Sequence, residues 1–388
     1  MGNLILVVVG TRPDAIKLIP VYMALKSRNI PVKLCATFQH DHLLNQVFTL
    51  FNIKPDISLY LMKEGQDLFY LTTALLEQLK TVYLSIKPDY VIVQGDTTTS
   101  LCAALAAFYL NIKIAHVEAG LRTGNLQAPF PEEANRKIIT VLANLNFPPT
   151  ALSEQALLRE NVDEASIYRV GNTGIDALYW VENQLNTGML ATTPSLLNLI
   201  TSCKEKKQKI VLLTAHRRES FGKTLVAIFT GIASFLKKYP DVIIVYPTHP
   251  NPQVLAALDS SGLRTAPNII IVEPVAYHDL VSLLLACDWV ITDSGGIQEE
   301  AASLGKKTIV LRAVTERTEG IMSGVAKLGG RDAQSVETTM LELYNDQQTL
   351  MPRSTIYGDG TASTQIAAII TNGMNGAAQP NVITNQCL

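Results

Sequence analysis

Four short runs in the first half of the chain, residues 4–9, 32–37, 90–94 and 112–117, are apolar at successive positions rather than at alternate ones. Such a strand has two faces to hide, which is the condition of a central parallel strand in a sheet covered by helices on both sides. Helix-compatible stretches separate the runs, so the pattern is α/β. A second series opens at 210–214 and continues through 242–246, 269–272, 289–292 and 308–311, with helical segments such as 221–238 between its members. Two separate sheets are expected, and 388 residues suit two domains at about 150 residues each. Gly171-Asn172-Thr173 reads as the crossing point. The expected domains are therefore 1–172 and 173–360, with a helix over about 361–372 packing back on the first. The stretch 188–209, rich in Thr, Ser and Lys and containing Pro194, reads as a surface excursion, and the tail after Gly373 as frayed.

Charge and cysteine content narrow the function classes. Lys plus Arg number 32 against 34 Asp plus Glu, a net charge of −2, so no coat for a polyanion and no nucleic-acid partner is expected. The apolar runs fall far short of the roughly 18 residues a membrane span needs. The start, Met1-Gly2-Asn3, has no basic segment before its apolar run, so a cytoplasmic location is expected. Cys35, Cys102, Cys203, Cys287 and Cys387 are odd in number and never paired as CxxC, and read as reduced and mostly buried.

The turns after the strands hold the chemistry. Gly10-Thr11-Arg12-Pro13 follows the first strand of one series and Thr214-Ala215-His216-Arg217-Arg218 the first strand of the other. Both put cations at the carboxyl end of a parallel strand, where open α/β sheets bind ligands, and so imply an anion. Gly10 lacks the GxGxxG spacing of a dinucleotide site. Gly222-Lys223-Thr224 mimics the end of a P-loop, but Arg217 stands where the loop's first glycine belongs, so an ordinary first helical turn is expected. The six histidines show no zinc spacing.

Thr292-Asp293-Ser294-Gly295-Gly296-Ile297-Gln298-Glu299-Glu300 leaves an apolar strand and opens a helix, a natural site for a diphosphate on backbone N–H groups. The plainer reading is a capping box with Ser294 as N-cap and acids in the first turn; the two can coexist. Glu300 is placed to accept ribose hydroxyls, and Arg317 adds a cation after the next strand.

Gln94-Gly95-Asp96, His116-Val117-Glu118 and Pro131-Glu132-Glu133 bring acidic turns to successive strand ends. Singly, Asp96 is as good a helix N-cap as a catalyst, and Glu133 as good a dipole partner; clustered, they suit general acid–base work. His216, beside the diphosphate turn, is expected to act on the ligand. His116, within a strand, is expected to be a satisfied core residue, and Trp180 and Trp289 packing or rim residues.

Residues 10–17, 95–99, 116–123, 129–136, 171–173, 216–219 and 293–300 together resemble the bacterial non-hydrolysing UDP-N-acetylglucosamine 2-epimerases, over about residues 4–370. The resemblance implies the GT-B fold, two Rossmann-like domains with parallel sheets facing a central cleft, a cytoplasmic homodimer, and no metal or nicotinamide. It implies interconversion of UDP-GlcNAc and UDP-ManNAc through elimination of UDP to a glycal, supplying surface polysaccharide precursors. It makes Asp96, Glu118 and Glu132 the acid–base set and His216 the assistant at the leaving phosphate. Arg12, Lys17, Ser294, Gly295, Gly296, Glu300 and Arg317 match positions that hold UDP or substrate.

The chain departs from the family pattern at Asp14 (usually Glu), Gly174 (Val) and Ser220 (often Asn), and its 274–280 loop lacks the Gln and Phe some relatives place around uracil. Some relatives bind a second UDP-GlcNAc as activator. Gln39, His40, Gln66, Glu133, Arg217 and His249 match parts of that site, and Asp41 and His42 do not. Rival readings are a GT-B glycosyltransferase, a hydrolysing 2-epimerase, a 2-epimerase of a related UDP-sugar, and a non-catalytic nucleotide-sugar sensor.

Overall fold

The structure is a computed structural model that describes residues 4–38, 41–61, 63, 65–248, 250–346 and 351–374. In chain order its first elements are β1 (Ile5–Val9), α1 (Arg12–Ser27), β2 (Val32–Ala36), α2 (Asp41–Leu50), β3 (Ile57–Ser58) and α3 (Leu68–Ile86). Next come β4 (Tyr90–Gln94), α4 (Thr98–Tyr109), β5 (Lys113–Val117), α5 (Glu132–Leu142), β6 (Leu145–Phe147), α6 (Ala151–Arg159) and α7 (Thr173–Asn186). The chain continues through α8 (Pro194–Glu205), β7 (Lys209–Thr214), α9 (Lys223–Lys238), β8 (Val242–Pro247), α10 (Pro252–Ser261), β9 (Ile269–Val272) and α11 (Tyr277–Ala286). It ends with β10 (Trp289–Thr292), α12 (Gly295–Ser303), β11 (Lys307–Val310), α13 (Thr318–Met322), β12 (Ala326–Leu328), α14 (Ala333–Asn345) and α15 (Ala362–Met374).

The strands form two six-stranded sheets, ordered β3-β2-β1-β4-β5-β6 and β12-β11-β10-β7-β8-β9, and every pairing is parallel. Each is the doubly wound order, in which the winding reverses between neighbouring strands and opens a crevice beyond their carboxyl ends. The reversals fall at β1/β4 and β7/β10; turns bearing Arg12, Asp96, His216 and Ser294 follow those four strands, and Glu118 follows β5. The chain divides into two compact units, one running to Ala177 and resuming at Tyr357, the other spanning Leu178–Ile356. In the first, α15 packs on α1, and Ser363 donates its backbone N–H to Asp176 at 2.7 Å.

The all-apolar runs are buried as two-sided strands must be. In the first unit Leu6, Val8, Val91 and Val93 meet Leu75 and Leu79 of α3 and the alanines of α4. In the second, Val211, Leu213, Ile244 and Tyr246 meet Phe229, Ile232 and Leu236 of α9, with Trp289 in the same core. Each large side chain removed from water contributes about 1.5–3 kcal/mol. Cys35, Cys102, Cys203 and Cys287 are free and buried, and burial pushes the Cys35 and Cys287 thiols up to about 12. Among the described residues no helix is long and apolar enough to cross a membrane.

The excursion expected at 188–209 holds a helix, α8. Pro194 starts it rather than breaking it, because a first-turn residue has no intrahelical bond to give. Its buried face, Leu196, Ile200 and Cys203, has helical spacing, and Asp279 of α11 accepts both the N–H of Thr193 at 2.8 Å and its hydroxyl at 2.6 Å. Gly222-Lys223-Thr224 is the plain start of α9, with Gly222 as N-cap. The tail beyond Met374 lies outside the described residues.

Candidate active site

The acidic turns of the first unit come together. Glu118 directly follows β5 with φ 62°, a left-handed conformation that costs a non-glycine residue about 1–3 kcal/mol. Surrounding groups hold it there: Oε1 accepts from Lys17 Nζ at 2.5 Å and Asn172 Nδ2 at 3.1 Å, and Oε2 accepts from Gln94 Nε2. That Oε2 lies 3.2 Å from where a β-carbon of Gly95 would stand, and Gly95 itself has φ 63°, so two constraints select glycine there.

Asp96 follows. Its Oδ2 accepts from Arg136 Nη2 at 2.5 Å and its carbonyl from Asn135 Nδ2 at 2.8 Å. Burial pushes its carboxyl above the ordinary 3.8, Glu118 and Glu132 add to the rise, and Arg136 and Lys17 oppose it. Glu132 opens α5, and its buried Oε2 has no hydrogen-bond partner among the described residues. Glu133 is 0% exposed and accepts the N–H groups of Thr123 at 3.1 Å and Gly124 at 3.0 Å.

His116 is a core residue, as expected, but only half satisfied. Its Nε2 lies 2.8 Å from the carbonyl of Gly95, and Nδ1 has no hydrogen-bond partner among the described residues. Burial pulls the ring down to about 4, so it is neutral near pH 7, and Nε2 donates to the carbonyl that shapes the Asp96 turn.

On the other side of β4, the turn after β1 is a capping box. Thr11 accepts the Asp14 N–H at 3.4 Å, while Asp14 Oδ2 accepts the N–H groups of Gly10 at 3.2 Å and Thr11 at 3.1 Å. Burial pushes the Asp14 carboxyl up to about 6. The box starts the helix that carries Arg12 at its first position and Lys17 in its second turn.

In the second unit Asp293, 1% exposed, ties two turns together. Its Oδ2 accepts the N–H groups of both His216 and Arg217 at 2.7 Å, and Oδ1 lies 3.6 Å from His216 Nδ1. The His216 side chain is 44% exposed. Ser294 stands at the N-cap of α12 but makes no side-chain capping bond, and no acid lies in the first turn. The capping-box reading therefore fails. Glu299 and Glu300 fall one turn later, and the first-turn N–H groups keep their capacity for an anion.

Cations gather around that helix start. Arg317 donates from Nε to Glu299 at 2.8 Å and pairs through Nη1 with Glu316 at 2.9 Å. Glu316 also takes Arg312 Nη1 at 2.5 Å; burial alone would raise its carboxyl, but Arg317 and Arg312 outweigh that and hold it at about 2. Burial, with Arg312 and Arg317 nearby, pulls Arg217 below its ordinary value. Three guanidiniums in one neighbourhood with partial carboxylate compensation suit a multiply charged anion. Glu300 accepts the Tyr277 hydroxyl at 2.7 Å.

Of the sequence-derived residues, the first unit thus brings together Asp96, Glu118, Glu132 and Lys17, with Arg12 at the start of the same helix as Lys17. The second places Ser294, Gly295, Gly296, Glu300 and Arg317 on or against α12, with His216 tied to it through Asp293. Arg136, Gln94, Asn172, Asp293, Glu316 and Tyr277 were not singled out as site residues. Only Arg136, four positions after Glu132 on one helix, had a spacing that could have flagged it. Gln39, His40 and His249, and the side chains of Asp41 and His42, lie outside the described residues. Gln66 accepts the Lys63 N–H at 3.2 Å. Among the described residues no group of three His, Cys, Asp or Glu side chains is placed to hold a metal ion.

Comparison with known proteins gives one consistent result. A family model described as UDP-N-acetylglucosamine 2-epimerase matches residues 23–371. A UDP-N-acetylglucosamine 2-epimerase of Campylobacter jejuni is 42% identical over 380 residues, 97% of this chain and 99% of that protein. The crystal structure of UDP-GlcNAc 2-epimerase from Neisseria meningitidis bound to UDP-GlcNAc matches with a TM-score of 0.87 at 39% identity, covering 96% of this chain and 100% of that one. A Methanocaldococcus jannaschii UDP-GlcNAc 2-epimerase in complex with UDP-GlcNAc and UDP matches with a TM-score of 0.81 at 32% identity, covering 95% and 100%. The fold class expected from the sequence, α/β with two Rossmann-like domains of the GT-B type, is the one found.

Proposed function

This chain belongs to the UDP-N-acetylglucosamine 2-epimerase family, and on that premise we propose that it interconverts UDP-GlcNAc and UDP-ManNAc by anti elimination of UDP and re-addition to 2-acetamidoglucal. It is an isomerase. The observation that carries the mechanism is the gathering of Asp96, Glu118 and Glu132 in one unit with unlike surroundings. Carboxyls whose environments push their proton affinities apart can divide the work of acid, base and fixed charge.

The C2–H of the sugar is not acidic, so a carboxylate takes that proton as the C1–O bond breaks. The C2–H electrons form the C1=C2 bond, and the C1–O electrons leave on the diphosphate. When a second carboxyl returns a proton to the other face of C2 while the diphosphate oxygen re-forms its bond to C1, C2 is inverted; the two carboxyls end with their protonation exchanged, and proton exchange with solvent resets them. Asp96, whose carboxyl burial favours in the protonated form, and Glu132, whose buried Oε2 has no hydrogen-bond partner among the described residues, carry protons in this reading. Glu118, held by Lys17, Asn172 and Gln94, supplies fixed negative charge beside an oxocarbenium-like C1.

His216, Arg317, Ser294, Gly295 and Gly296 stabilise the departing diphosphate, Arg12 and Lys17 steady the substrate, and Glu300 accepts from the ribose. The sequence resemblance supports a cytoplasmic homodimer that supplies surface-polysaccharide precursors, and in some relatives a second UDP-GlcNAc as activator. An NMR time course with UDP-GlcNAc alone in D₂O tests the reading. UDP-ManNAc should accumulate with deuterium at C2. Unchanged substrate would point to a glycosyltransferase lacking its acceptor, free ManNAc with UDP to a hydrolysing enzyme, and turnover without deuterium uptake would rule out C2–H cleavage.

A further inference from the structure

Arg136, 4% exposed, stands between two carboxylates from different parts of the first unit. Nη2 donates to Asp96 at 2.5 Å, and Nη1 lies 3.4 Å from Glu133 Oε2. Glu133 cannot swing toward Asp96 or solvent, because it is fully buried and its two oxygens are taken by the backbone N–H groups of Thr123 and Gly124. We propose that Glu133 is a positioning residue, which sets the proton affinity of Asp96 by holding the far side of the Arg136 guanidinium.

The reason is electrostatic. A guanidinium given wholly to one carboxylate stabilises its ionised form strongly; shared between two, it stabilises each less. The sharing keeps Asp96 readier to hold a proton. Helical spacing makes the arrangement compact, since Glu133 and Arg136 lie one turn apart on α5 and Asn135, between them, binds the Asp96 carbonyl. The other charged groups facing Asp96 are Asp14 and Lys17 of α1, Glu118 after β5 and Glu132 of α5, and the variants below leave all of these in place. Facing Glu133, the Thr123-Gly124 turn is uncharged.

The inference rests on the reading of Asp96 as a proton carrier, so its test reads Asp96 directly. The Asp96 carboxyl is titrated by ¹³C NMR in the full chain without substrate, with Asp96→Asn for assignment, alongside the pH profile of kcat with UDP-GlcNAc. In Glu133→Gln the Asp96 titration and the acid limb of the profile should both move to lower pH by about one pH unit. In Arg136→Lys, which keeps the charge but loses the two-sided fork, both should move to higher pH. A purely structural role for Glu133 does not produce opposite shifts in two folded variants. An unmoved Asp96 titration in a natively folded Glu133→Gln overturns the proposal; if that variant does not fold, an unmoved or downward shift in Arg136→Lys does so. If the titrations shift as expected but the wild-type chain does not convert UDP-GlcNAc, the positioning stands and the functional reading falls. If it converts UDP-GlcNAc and the titrations do not shift, the reverse holds.

Discussion

A β-carbon on Gly295 would stand 2.6 Å from Cζ of Arg317 and 2.9 Å from its Nε and Nη1, so the guanidinium occupies the space a side chain would need. A β-carbon on Gly296, one residue on, would meet no described residue beyond its own helix within 4 Å. The adjacent glycines therefore differ in purpose. The first admits Arg317 to the start of α12, and the second leaves that start open.

Substitution should separate them. Gly295→Ala displaces Arg317 and should weaken UDP binding by about tenfold or more, the worth of a charge-assisted hydrogen bond. Gly296→Ala should leave the fold intact or stabilise it by up to about 1 kcal/mol, because alanine suits a helix better than glycine. Calorimetric titration with UDP and thermal melting of both variants check this; matching losses of stability in the two would refute the distinction.

Asp96→Asn should lower kcat by about 10²–10⁴-fold, the usual contribution of a positioned acid or base, and Glu118→Gln by about 10²–10³-fold, that of a fixed charge lost beside C1, with UDP affinity kept within a few fold in both. Steady-state kinetics beside a UDP titration make the comparison. Near-normal turnover in either variant would remove that residue from the chemistry.

His116 makes stability pH-dependent in a defined direction. Its folded value of about 4 lies below the ordinary 6.5, so its contribution is present above pH 6.5 and is lost as pH falls toward 4. At full extent that is about 3 kcal/mol. His116→Asn lacks this dependence, so the gap in unfolding free energy between wild type and variant should narrow between pH 7 and pH 4.5 in urea titrations. Asp14, pushed up to about 6, acts in the opposite sense over about pH 6 to 4, but is present in both proteins and cancels from the difference. A pH-independent gap would contradict the buried neutral ring.

Glu316 is buried between Arg312 and Arg317, and Glu316→Gln should cost about 3–5 kcal/mol by leaving two guanidiniums with less compensation. Because its carboxyl is held at about 2, below the ordinary 4.5, the difference from wild type should stay constant from pH 8 to pH 5 and shrink only in stronger acid. Denaturant unfolding at several pH values measures both statements. A loss within about 0.5 kcal/mol would mean that the remaining carboxylates, Glu219 and Glu299, suffice.

Much of this was legible along the chain because it depends on neighbours in sequence. Two-sided apolar runs specify covered parallel strands, and β1, β2, β4, β5 and β7–β11 fall where those runs stand. The glycines and charged residues after strands mark the turns where a ligand belongs, since a parallel sheet exposes its strand ends there. The strands β3, β6 and β12 were not legible. Each has only two or three residues, too few to display a period, and exists because a longer neighbour offers its open edge.

The sequence by itself determined the fold class, the two sheets and the acidic and cationic turns, through periodicity and turn chemistry that act over a few residues. Only the tertiary structure decided that Glu118 is gripped by Lys17, Gln94 and Asn172, that Arg136 is divided between Asp96 and Glu133, and that Gly295 yields its space to Arg317. Those contacts join residues up to 101 positions apart. The worth of a charge or hydrogen bond depends on distance and burial, and neither exists for such pairs until the sheets have formed and brought their strand ends together.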